Sequence, residues 1–174
     1  LGEKYTANDN YQGTRLSAAE AIFSGVTTVH DWSHNIRGPE YADADLRALR
    51  ESGIRARFSY GAAQGQSTNV PINTADVERL HRNWKEYSNE GLLTLGLAWR
   101  GVSTSATGAI SAQAWRRDFD AARGLGIPIS VHAANRRTTA GAIEVFAREK
   151  VLGKDLQVIH AIWVSPAEIR ALAD

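Results

Sequence analysis

Two rhythms of apolar and polar residues alternate along the chain. Stretches with apolar residues every three to four positions run into a glycine, and short β-branched runs follow at once. The punctuating glycines are Gly25, Gly53, Gly91, Gly126 and Gly153. A glycine just past a helix end supplies the left-handed backbone that stops it. The runs behind them are Val26–Asp31, Ile54–Tyr60, Leu92–Ala98, Ile127–Ala133 and Leu156–Ile162, each with the composition of a buried strand. Helical spacing is clear in Ala42, Leu46 and Leu49, in Val77, Leu80, His81, Trp84 and Tyr87, and in Trp115, Phe119 and Ala122. Ser165-Pro166-Ala167-Glu168 reads as a capping box with proline at the first helical position.

Strand and helix therefore alternate five times, which predicts an α/β fold of parallel strands joined by right-handed helical crossovers. An open doubly wound sheet and the central part of a (β/α)8 barrel both fit. A complete barrel needs about 250 residues and eight units, against 174 residues here. No composition break divides the chain. The longest irregular stretch, 61–72, reads as a loop rather than a domain boundary.

Composition narrows the function classes. Twenty Lys and Arg against nineteen Asp and Glu leave a net charge of +1, without the one-signed field that nucleic acid or an acidic membrane would call for. There is no membrane-length apolar run and no cysteine, which removes disulfides, thiolate ligands and cysteine nucleophiles. The expected partner is a small-molecule substrate, with homo-oligomerisation open and a cytoplasmic location. Methionine is also absent, and Leu1 opens a stretch that is no signal peptide, so the chain reads as the inside of a longer protein.

In parallel α/β folds the strand C-termini carry the chemistry. His30, His34, His132 and His160 fall at or just beyond predicted strand ends, whereas His81 lies on a helix. His132 and His160 belong to consecutive strands, whose spacing of about 4.8 Å lets two rings flank one ion or substrate. His30 taken alone reads as structural, and His34 as a loop contact with substrate. Asp31 reads equally as a buried structural acid or a catalytic one. Trp32, Tyr60, Trp99 and Arg100 sit at strand ends where a flat polar heterocycle would stack and bond, or where the barrel mouth would pack. No phosphate loop and no nucleophile elbow is present.

These residues resemble the amidohydrolase superfamily, in the branch of cytosine deaminase, guanine-type deaminases and triazine hydrolases. Leu16–Asp31 is similar to the helix leading into barrel strand 2, Ser130–Asn135 to the strand 5 motif, and Val158–Glu168 to strand 6 with its capped helix. The resemblance implies that 1–174 is a partial barrel domain holding strands 2–6, with strand 1, strands 7–8 and any N-terminal β domain outside it. It implies a hydrolase acting on non-peptide C–N bonds, in which a metal-activated water attacks an sp2 carbon of a small heterocyclic or amide-like substrate, as in deamination. His132 would be a metal ligand, and His160 would polarise the substrate or the metal-bound water. One divalent ion, zinc or iron, is implied, because the run Leu92–Arg100 lacks the lysine that bridges two metals. Asn135 stands where the family places a proton-shuttling glutamate; an amide can orient a water or a carbonyl but cannot transfer a proton. The family's His-x-His and its strand 8 Asp have no counterpart in 1–174. The alternatives are a non-catalytic α/β domain that binds a ligand or partner, and an inactive fragment.

Overall fold

The computed structural model describes residues 2–102 and 110–173. They form two compact units, Leu1–Gln66 with Ile72–Ala98, and Ser67–Pro71 with Trp99–Asp174. The first holds α1 (Ala7–Phe23), β1 (Thr28–Ile36), α2 (Pro39–Ser52), β2 (Arg55–Ala62), α3 (Thr74–Arg82), α4 (Trp84–Tyr87) and all of β3 (Leu93–Trp99) except its last residue, which is assigned to the second. The second holds α5 (Ala112–Gly124), β4 (Ile129–Ala133), a 3-10 turn (Arg137–Thr139), α6 (Ala142–Arg148), β5 (Leu156–His160) and α7 (Pro166–Ala173). β1 pairs with β2, β2 with β3, and β4 with β5, all parallel and in chain order. This is the α/β alternation expected of part of a (β/α)8 barrel.

The first unit's core follows from strand alternation. Register sets Ser33 of β1 beside Tyr60 of β2, and Trp32 beside Ser59. Asp31, Ser33, Phe58 and Tyr60 thus share the face covered by helices, while His30, Trp32, Arg57 and Ser59 share the other. Phe58, Tyr60, Leu93 and Leu97 are buried with Leu46 and Leu49 of α2 and Leu80 of α3. Burying each such side chain contributes about 1.5–3 kcal/mol. α1 docks on α2 through Tyr11, Ala44 and Ala48. The Arg47 guanidinium lies 4.1 Å over the Tyr11 ring, and the Tyr11 hydroxyl donates to Glu51.

Three expectations change in detail. β1 runs on to Ile36, so His34 lies within the strand rather than in a loop. The helix expected through Tyr87 breaks at Asn83, whose side-chain amide donates to the Arg79 carbonyl at 3.1 Å as α3 ends. Gly126 does have left-handed backbone (φ 65°), but after α6 that conformation falls on Lys150 (φ 59°) and not on Gly153. Gly153 answers a different need: a Cβ there would lie 2.7 Å from Asp155 Oδ1 and 2.9 Å from Arg123 Nη2, inside an ion pair.

Candidate functional site

β4 and β5 carry the histidine pair. Ile129, Val131 and Ala133 are buried on one face of β4, which leaves His132 exposed on the other. Register places His132 beside Ile159 and Ala133 beside His160. Regular alternation would therefore send His160 to the face opposite His132. The backbone at His160 is left-handed instead (φ 81°), followed by Ala161 (φ 49°). This breaks the alternation, and the two imidazoles meet with ring centroids 4.9 Å apart and planes 39° apart. Such conformations cost non-glycine residues roughly 1–3 kcal/mol each and persist only where their surroundings impose them. Here the amide of Ala161 donates to Ala133 O (3.2 Å), and those of Ile162 and Trp163 donate to Ala134 O (3.1 and 2.8 Å). Asn135 follows in the same loop and accepts from the Thr139 hydroxyl at 3.1 Å. Two solvent-facing imidazoles can donate to, accept from and orient a polar substrate.

The segment expected to cap α7 does so. Glu168 N donates to Ser165 Oγ (3.2 Å), and Ser165 N donates to Glu168 Oε2 (2.8 Å). The other carboxylate oxygen, Oε1, accepts from the amide of Ile143 at 3.0 Å, and the residue is 2% exposed.

On β1 the histidines have local partners. His30 Nε2 lies 2.8 Å from Ser59 Oγ, and His34 Nδ1 lies 2.8 Å from the Trp32 carbonyl. On the opposite face of β1 is an arrangement without a periodic signature in the sequence. Asp31 and Asp45 approach each other across Ser33, whose Oγ lies 2.7 Å from Asp45 Oδ2 and 3.2 Å from Asp31 Oδ2. Thr14 donates to Asp45 at 2.9 Å and Asn10 at 3.3 Å. These groups line a cavity of about 460 Å³ between α1 and β1. Burial in the cavity and the nearby Asp45 charge push the Asp31 carboxyl up to about 7, against the opposing bond from Ser33. Burial also raises Asp45, opposed by its bonds from Ser33, Thr14 and Asn10. A single hydroxyl proton cannot serve two carboxylates, so a proton retained on one acid completes the network. The available signal was Asp45 itself, an acid within the apolar stripe of Ala42, Leu46 and Leu49.

Three residues expected to face substrate are used elsewhere. Tyr60 is 1% exposed on the helix-covered face, and burial with the Asp76 charge raises its phenol beyond the usual range. Trp99 is 1% exposed, its ring centroid 5.0 Å from Phe119 and 5.7 Å from Phe146, and its Nε1 donates to Trp115 O at 3.3 Å. Both rings are core because strand alternation turns them toward helices. Arg100 is engaged by its own unit. Nη1 donates to Ser67 O (3.3 Å), and Nη2 to Val70 O (2.6 Å) and to the buried Asp118 (3.1 Å).

Among the described residues no group of three His, Cys, Asp or Glu side chains is placed to hold a metal ion. A catalytic zinc takes three protein donors. His132 and His160 supply two imidazoles, which do not by themselves fit that requirement. No helix among the described residues is long and apolar enough to cross a membrane.

No family model matches the chain. It is similar to three curated proteins. A 5-methylthioadenosine/S-adenosylhomocysteine deaminase of Caldanaerobacter subterraneus subsp. tengcongensis is 25% identical over 184 residues, covering 100% of this chain and 40% of that protein. A 5'-deoxyadenosine deaminase of Methanosarcina barkeri is 25% identical over 177 residues, and its counterpart in Methanosarcina mazei is 23% identical over 179, each covering 97% of this chain and 39% of the relative. The chain thus spans about two fifths of the length of these relatives, and its likeness to deaminases runs along nearly all of it.

Proposed function

We propose that this chain is part of an enzyme that hydrolytically deaminates a small amino-bearing heterocycle, with a 5'-modified adenosine as the first class to try. Support comes from its end-to-end similarity to three proteins named as deaminases of that kind. The observation within the chain that carries the reading is the His132–His160 pair, held 4.9 Å apart at neighbouring strand ends by left-handed backbone. In the reaction, water oxygen bonds to the ring carbon bearing the amino group, that C–N bond breaks, and ammonia leaves with a proton from the water.

His160 is assigned to hydrogen-bond the substrate or the attacking water, acting as donor or acceptor by its protonation state. Asn135 is assigned to orient a water or a ring carbonyl, because it cannot transfer a proton. One divalent ion, zinc or iron, would take His132 as one donor and its remaining ligands from outside the described residues. Such an ion would supply an activated water.

Ammonia release from 5'-deoxyadenosine, 5'-methylthioadenosine and S-adenosylhomocysteine, followed with the adenine absorbance, tests the reading. Turnover should appear on at least one of them, and His160→Asn should lower kcat by about 100-fold or more. No ammonia above the blank from any of the three refutes the 5'-modified adenosine assignment. Metal content below about 0.2 equivalents after mild purification refutes the ion. Asn135→Glu checks the fitted role of the amide: kcat should fall, and an unchanged or higher kcat would show that position 135 is a degenerate base.

A further inference from the structure

The Glu168 carboxylate joins the starts of two helices that each follow a histidine-bearing strand. The N-cap of α6 is Gly141, which has left-handed backbone (φ 83°) and no side chain to cap the helix. The cap comes from 25 residues further on, as Glu168 Oε1 accepts the buried amide of Ile143 at 3.0 Å. Glu168 Oε2 accepts from Ser165 N at 2.8 Å and closes the capping box of α7. Both oxygens are therefore committed, each to a different helix start. A glutamine keeps the length but loses one acceptor, and an aspartate falls one methylene short.

The loops that connect strands to helices here are the loops of the site. One runs from Ala134 through Asn135 to Gly141, the other from Ala161 to Ser165. At the strand ends they are fastened by the amides of Ala161, Ile162 and Trp163 on the carbonyls of Ala133 and Ala134. At the helix ends Glu168 fastens them. We infer that Glu168 is a positioning residue: by tying the first turn of α6 to that of α7 it closes the two loops into a ring and sets the separation of the His132 and His160 imidazoles. Without it the hydrogen-bonded tie between the two helix starts is lost, and the left-handed backbone at His160 and Ala161 can relax. The geometry stands without any assumption about the reaction, and only the kinetic arm of the test rests on the deaminase reading.

The test compares Glu168→Gln with Val151→Ala in the intact protein. Val151 is 2% exposed and lies beyond the far end of α6, so its truncation costs stability without touching the clamp. The first readout is the nuclear Overhauser contact between the imidazole ring protons of His132 and His160. Wild type and Val151→Ala should show it, and Glu168→Gln should lose most of it. The second is steady-state ammonia release well below the melting temperature. Glu168→Gln should lower kcat by about tenfold or more with KM within about twofold, as expected when reacting groups are misplaced by an ångström or less. Val151→Ala should keep kcat within about twofold at a comparable loss of stability. A ring contact that survives in Glu168→Gln, or one absent from the wild type, overturns the inference. A wild type that shows the contact, loses it in Glu168→Gln and releases no ammonia supports the clamp and counts against the deaminase reading alone.

Discussion

Replacing Asp31 by Asn should stabilise the protein increasingly as pH rises, and the cavity network says over which range. The Asp31 carboxyl titrates at about 7 in the folded chain and near 3.8 when unfolded. Between those values the folded state holds a proton that the unfolded state has released, so stability falls as pH rises through the window and is flat above it. A carboxyl carried that far sets a ceiling of roughly 4 kcal/mol on the loss. Asp31 is only partly buried by surface area, and solvent screening lowers the expected figure to about 1–2 kcal/mol. The substituted carboxamide keeps an oxygen to accept from Ser33 and adds amide hydrogens that can donate to Asp45, so the variant removes the charge without emptying the position. Urea unfolding of both proteins at about pH 4.5, 6 and 8 measures this. The two should agree within about 0.5 kcal/mol at the lowest pH, and Asp31→Asn should lead by about 1–2 kcal/mol at the highest. A difference that does not grow with pH, or that grows in favour of wild type, refutes the buried-pair reasoning.

Trp99→Ala should cost about 3–5 kcal/mol in denaturant unfolding, whereas Trp99→Phe should leave KM unchanged, because the ring packs on Phe119 and Phe146. Arg100→Gln removes the ion pair to the buried Asp118 carboxylate; urea titration should show a loss of about 1–3 kcal/mol, smaller when Asp118→Asn is added. Gly126→Ala should cost about 1 kcal/mol at any ionic strength, because its left-handed φ is the sole obstacle. Gly153→Ala should cost less than about 1 kcal/mol and lose most of that when Arg123 is also truncated, since its cost is a displaced, half-exposed ion pair. Melting temperatures of the single and double variants distinguish these two cases.

The repeating architecture was legible because it rests on period and punctuation. Apolar stripes such as Ala42, Leu46 and Leu49, and the Ser165–Glu168 box, describe local backbone states that tertiary packing only had to accept. The proximity of His132 and His160 was legible too, but not its means: strand spacing brings the strands together, while a left-handed residue turns one ring. Which face a strand-end aromatic takes depends on register. One position decides between the helix-covered side and the other, and this sent Tyr60 and Trp99 into the core. The Asp31–Asp45 pair and the Glu168–Ile143 bond join residues whose separation in sequence carries no periodic signal.

The segment Ser67–Pro71 belongs with the second unit although both its flanks belong to the first. Arg100 holds two of its carbonyls, and Thr68 O accepts from Ser111 N at 3.3 Å. The chain therefore passes between the units three times, at 66/67, 71/72 and 98/99. No single cut separates them: dividing the gene after Ala98 would leave Arg100 and Ser111 facing carbonyls encoded on the other piece. Gene-splitting, circular permutation or domain-exchange designs have to carry residues 67–71 with the C-terminal half.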